Sequence, residues 1–108
     1  MSDCKITVEA GVCRFKTIII ARGNPETFMI EYEIQSECPS VVKMAEALKP
    51  ICPYPEVEAK LNHTTIYNLA GDYLPHAACP IPCALMKGME AAADLALKRD
   101  VSIKIEKL

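Results

Sequence analysis

Apolar and polar residues alternate with a period of two in the first third of the chain, and the period shifts to that of a helix afterwards. Cys4, Ile6 and Val8 alternate with Lys5, Thr7 and Glu9, which marks a half-buried strand ending at Gly11. A turn through Gly11-Val12-Cys13 leads to a second strand from Arg14 to Arg22. Phe15, Ile19 and Ala21 share one of its faces, and Ile18 and Ile20 on the other predict partial burial on both sides. Arg22-Gly23-Asn24-Pro25-Glu26 carries turn chemistry. Thr27 to Gln35 alternates most cleanly, with Phe28, Ile30, Tyr32 and Ile34 directed inward, so strands two and three are expected as a hairpin.

From Pro39 to Lys49 the apolar residues Val41, Met44, Ala45 and Leu48 fall on one helical face, with Pro39 suited to the first helical position. Lys49 to Pro55 holds three prolines and is expected as a loop. Glu56 to His63 and Thr64 to Tyr73 read as two short helices with a break near Asn62 to Thr65, and Leu74-Pro75 stops the second. A long helix is expected from Cys79-Pro80-Ile81-Pro82 to about Lys98. Its buried stripe is Ile81, Leu85, Gly88, Met89, Ala92 and Ala96, and Asp94 and Lys98 form an i,i+4 pair on its solvated side. Val101, Ile103 and Ile105 alternate with Ser102, Lys104 and Glu106 as a last strand. The order β-β-β-α-α-α-β predicts an α+β, two-layer single domain over residues 1–108. Its sheet is expected to be mainly antiparallel and four-stranded, with helices on one face.

Charge and composition narrow the function classes. With 12 Lys and Arg scattered against 14 Asp and Glu, for a net charge of -2, no basic footprint for nucleic acid exists, and no aromatic residues interleave with basic ones to stack bases. The amino-terminal residues lack a basic region leading into an apolar stretch. The longest aliphatic run, Ile18 to Ala21, is too short to span a membrane, so a cytoplasmic protein is expected. A chain of 108 residues can fold without covalent staples, yet this one carries six cysteines. In a reducing compartment they read as thiols for metal or redox chemistry rather than as three bridges.

The six thiols divide by position. Cys4 is in phase with the inward residues of the first strand and reads as core. Cys13 follows the Gly11 turn at a sheet end, where it is either a ligand or a filler. Cys38 and Cys79 precede predicted helices and are expected as N-caps, where the helix dipole and free N–H groups favour a thiolate. Pro39 leaves the N–H groups of Ser40 and Val41 for Cys38, whereas Pro80 and Pro82 leave mainly that of Ile81 for Cys79. Cys52 sits in the proline-rich loop, and Cys83 falls on the polar face of the last helix. His76, in the order H-x-x-C with Cys79, has a chelate spacing workable for zinc. No C-x-x-C, H-E-x-x-H, phosphate-cradling glycine loop or G-x-S-x-G occurs, and Glu31 and Glu33 read as a solvated stripe.

Three segments carry a resemblance: Ala10-Gly11-Val12-Cys13-Arg14-Phe15-Lys16-Thr17, then Ser36-Glu37-Cys38-Pro39, then Leu74-Pro75-His76-Ala77-Ala78-Cys79-Pro80-Ile81-Pro82. With these the chain resembles a small family of uncharacterised proteins of anaerobic archaea and bacteria, over most of its length. The shared cysteines are Cys13, Cys38 and Cys79. Members often have Gly where Arg14 stands, a departure at the tight turn after Cys13. Cys79-Pro80-Ile81-Pro82 is also similar to the C-P-x-P motif of sulfur-relay proteins of the TusA type, in which that cysteine carries a persulfide. There the motif follows the first strand, and here it opens the last helix.

The leading expectation is a cysteine-based metal-binding domain, for zinc or an iron–sulfur cluster, with Cys13, Cys38 and Cys79 as ligands and Cys52 or His76 as a fourth. The first alternative is a thiol or persulfide relay in which Cys79 carries the sulfur and Cys38 or Cys83 resolves it. The second is a non-catalytic interaction domain with structural cysteines and a protein partner. No residue set points to turnover of a small molecule.

Overall fold

A computed structural model describes residues 1–108 and shows an α+β fold. Three antiparallel strands, β1 (Cys4–Glu9), β2 (Lys16–Gly23) and β3 (Ile30–Ser36), form a sheet in the order β1-β2-β3. Cys4 pairs with Ala21 and Val8 with Thr17, while Thr17 pairs with Ser36 and Gly23 with Ile30. This register aligns the three inward rows. Ile19, Ala21 and Ile30 are fully buried in the resulting core, with Ile6, Tyr32 and Ile34 packed beside them.

Four helices follow: α1 (Pro39–Ala47), α2 (Pro53–Glu58), α3 (Thr65–Tyr73) and α4 (Ile81–Ala92), with a single 3₁₀ turn at Leu61–His63. Helix α1 buries Val41 and Met44, as its periodicity predicts. The proline-rich segment differs from expectation. Pro53 and Pro55 stand in the first turn of α2, where a missing N–H costs nothing, so these prolines start a helix instead of excluding one. Thr64 caps α3 by accepting the Tyr67 N–H at 3.1 Å. The buried carboxylate of Glu56 accepts the Thr65 N–H at 2.8 Å and the Thr65 hydroxyl, tying α2 to the start of α3.

Helix α4 lies across β1 and β2 and buries Ile81, Leu85, Gly88, Met89 and Ala92. Gly88 eases this approach, since a Cβ there would stand 2.6 Å from Ile6 Cδ1 and the tip of that side chain would have to turn aside. The helix ends well before Lys98. Asp94 adopts a left-handed φ of 60°, its N–H bonds the Ala91 carbonyl at 3.2 Å, and the Leu95 N–H reaches the Glu90 carbonyl at 2.9 Å. These are the two bonds of a Schellman motif. The Asp94 carboxylate accepts the Ser2 hydroxyl at 2.7 Å and lies 3.0 Å from the Met1 amino group, which fixes the stop. Ala96 is consequently exposed, and Asp94 meets Lys98 at 3.7 Å across a turn rather than along a helix.

The expected fourth strand is absent. Residues 101–106 form neither helix nor strand, and Ile103 and Ile105 are 81% and 91% exposed. The alternation is real, but no edge of the sheet is paired with it. The sheet therefore has three strands, with the helices on one face.

Candidate functional site

The hairpin end of the sheet collects three cysteines from three separate elements. The ladder of β1 and β2 extends to the Ala10 N–H and Phe15 carbonyl at 3.4 Å, and the four residues between them close the loop. Gly11 at φ 85° and Arg14 at φ 61° both take the left-handed region, and the Arg14 N–H donates to the Gly11 carbonyl at 2.9 Å. The tight turn therefore forms with Arg14 in a conformation that glycine adopts more easily. Cys13 is exposed in this loop beside Val12, which is 97% exposed.

Cys38 reaches the same end by way of β3. The Glu37 N–H donates to the Lys16 carbonyl at 3.2 Å and its carboxylate accepts the Lys16 N–H at 2.7 Å, holding the chain beside the start of β2. The Ser36 hydroxyl accepts the Cys38 N–H at 3.1 Å, and Cys38 is the N-cap of α1, as expected. Its side chain accepts no capping hydrogen bond.

Cys79 arrives from the helical layer. Gly88 packs on Ile6 and Ala21, and the Ala92 carbonyl accepts the Ser2 N–H at 2.9 Å, so α4 points its first turn towards the hairpin end. The N-cap of α4 is Pro80, not Cys79. Cys79 lies one residue earlier, in a turn where its N–H donates to the His76 carbonyl at 3.1 Å. The Ile81 N–H, the donor that the proline spacing leaves free, favours the Cys79 thiolate.

That donor does not prevail. Burial pushes the Cys79 thiol above its ordinary range, the Ile81 N–H pulls the other way, and the charges of Cys38 and then Cys13 push it up again. The balance of these influences leaves the Cys79 thiol raised rather than lowered. The same influences reveal the arrangement: the thiols of Cys38 and Cys13 stand within electrostatic reach of Cys79. No group of three or more His, Cys, Asp or Glu side chains is close enough to hold a metal ion.

The remaining candidates separate. His76 is exposed three residues before Cys79. Cys52 is the N-cap of α2, next to Ile51, which bridges to Ile30 at the start of β3. Ser36 and Cys38 belong to the other end of that strand, about 20 Å away along its rise. Cys4 packs against the core with its sulfur 3.5 Å from the Gly88 carbonyl, and burial raises its thiol pKa. Cys83 is exposed, on the side facing Tyr67. All six cysteines are free thiols.

Beside the Cys13 loop lies an open depression of about 530 Å³ that includes Glu9, Arg14, Lys16 and Glu37. Sequence reasoning did not single out these charges. They are scattered singly, and only the hairpin brings them together. Its lining mixes these charged side chains with the apolar surface of Ala10 and Phe15.

No helix is long and apolar enough to cross a membrane. No curated protein and no solved structure matches the chain. A family model described as "Family of unknown function (DUF6951)" matches residues 4–105, from the first residue of β1 into the segment beyond α4. With the Cys13 loop, Cys38, Cys79 and residues 101–105 of the alternating segment inside that span, the chain belongs to the DUF6951 family.

Proposed function

We propose that this chain is a cytoplasmic cysteine-based metal-binding domain that takes zinc or an iron–sulfur cluster through Cys13, Cys38 and Cys79, with His76 as the added donor. One observation carries the reading: Cys79 stands in the field of two other thiols at one end of the sheet. Three sulfurs that repel one another when ionised are relieved by a cation, which takes the place of their protons. His76 is exposed on the turn that leads to Cys79 and is the better fourth donor, because Cys52 lies at the opposite end of the sheet. Uptake then draws in the exposed Cys13 loop, since the donors are not at chelating distance beforehand.

The test is anaerobic purification and reconstitution, followed by elemental analysis and an absorption spectrum. Near-stoichiometric zinc, or iron and sulfide with cluster absorption, is expected, with loss in Cys13→Ser, Cys38→Ser and Cys79→Ser. A chain that takes up less than about a tenth of an equivalent after reconstitution overturns the reading.

The thiol-relay alternative draws on Cys79-Pro80-Ile81-Pro82. It is less favoured because a raised thiol is largely protonated at neutral pH and attacks slowly.

A further inference from the structure

Two unfilled features of this fold match each other. Strand β1 is an edge of the sheet, so one side of its backbone carries unpaired N–H and C=O groups. Residues 101–106 are a strand pattern without a sheet: no backbone hydrogen bond joins residues 100–108 to any other part of the chain. Val101, Ile103 and Ile105 are 57%, 81% and 91% exposed on one side of the alternation. Lys104 Nζ lies 2.8 Å from Glu106 Oε1 on the other, the same-side contact of an extended segment. The family model runs through residue 105, so this segment belongs to the shared domain.

The root of the segment limits where it can pair. Lys98 donates to the Ser2 hydroxyl at 2.7 Å, and the Ala92 carbonyl accepts the Ser2 N–H, so the chain leaves the body at the head of β1. To lie on its own β1 it has to reverse and run parallel, the weaker pairing and one that this all-antiparallel sheet does not use. A tail from another molecule has no such constraint.

We propose that two copies of this chain exchange their C-terminal segments, residues 101–106 of each adding as an antiparallel fourth strand to the β1 edge of the other. Ile105 then lies opposite Ile6 and Ile103 opposite Val8, which covers the apolar row on the side of the core. Glu106 lies opposite Lys5, and Lys104 is diagonal to Glu9 on the solvent side. The exchange is reciprocal and closes at two copies with twofold symmetry. This proposal is independent of the metal reading, because neither Cys13, Cys38 nor Cys79 takes part.

Sedimentation velocity on the full chain at micromolar concentration tests it. Twice the mass of one chain is expected, and hydrogen exchange should show protected amides in 101–106 and along β1. Removing residues 100–108, or introducing Ile103→Asp, should give monomers with an unchanged circular dichroism spectrum, since the segment makes no backbone bonds to the body. Lys5→Glu should weaken association about tenfold, as the pair occurs twice, and Lys5→Glu combined with Glu106→Lys should restore it. A monomeric full chain overturns the proposal, whether or not its tail amides are protected. So does a dimer that survives removal of the tail, and failure of the charge exchange to restore association overturns the register.

Discussion

The phenol of Tyr32, in the middle of β3, donates a hydrogen bond of 2.8 Å to the carbonyl of Leu85 in α4, joining the sheet to the helical layer across the core. Burial, then the charges of Cys4 and Glu56, pushes its pKa well above the ordinary tyrosine range. The folded state thus favours the neutral phenol. Its contribution is fully present below the unfolded value, about pH 10, and is lost as the pH rises beyond it. Tyr32→Phe should cost about 1 kcal/mol at neutral pH, because the Leu85 carbonyl loses the phenol O–H as a hydrogen-bond donor. Denaturant titrations at pH 7 and pH 11 should show that difference shrinking at the higher pH.

Cys79 offers a test that needs no metal. Its thiol should be alkylated with a midpoint above the ordinary cysteine range in the metal-free protein. Replacing both Cys38 and Cys13 by Ser should lower that midpoint, because the two like charges that oppose ionisation are gone. Alkylation rate against pH, read on Cys79 by mass spectrometry, decides this. An unchanged midpoint in the double variant means that the three thiols do not share a neighbourhood.

Arg14 holds a left-handed backbone with φ 61° in the loop that carries Cys13. Arg14→Gly removes the clash of the Cβ with the backbone and should stabilise the fold by about 0.5–1 kcal/mol, after the larger entropy of the unfolded glycine chain is subtracted. The midpoint of denaturant unfolding should rise with an unchanged slope.

Gly88 separates two outcomes by one carbon atom. In Gly88→Ala the new Cβ meets the tip of Ile6, which can turn aside, and the helix gains about 1 kcal/mol in propensity, so stability should change little. Gly88→Val adds branches against Ile6 and Ala21, and the loss should be about 1–3 kcal/mol. Thermal unfolding of the two variants distinguishes a packing role from a purely helical one.

Where one side of an element meets the core, its periodicity was readable. The alternation in β1, in β2 and over Ile30, Tyr32 and Ile34 of β3, and the stripe Ile81, Leu85, Gly88, Met89 and Ala92, appear with the expected faces; Phe15 and Phe28, expected inward, instead precede β2 and β3 and are exposed, Phe28 with a left-handed φ of 59°. Two local rules misled. Prolines at 53 and 55 argue against a helix interior, yet a first turn tolerates both, and Cys52-Pro53 repeats the dipeptide that starts α1 and precedes α4. The stripe of α4 continues in sequence to Ala96, but Asp94 ends the helix through contacts with Ser2 and Met1 at the far end of the chain, which no local pattern encodes. At the site, the Ile81 donor to Cys79 was legible from proline spacing. Cys79's burial and its two like-charged neighbours were not, because both depend on how the layers meet.

The bridge between Ile30 and Ile51 has a further effect. Both of its bonds, at 2.7 Å and 3.0 Å, occupy the outer side of β3 at its first residue. Pro50 directly precedes Ile51 and Pro53 follows two residues later, and neither has an N–H with which to lengthen the ladder. The two margins of the sheet are therefore unlike: one is partly plugged by the chain's own loop, and the other is open along β1. Addition of a further strand is therefore directed to the β1 margin, because at the head of β3 the place is already taken by the chain's own loop.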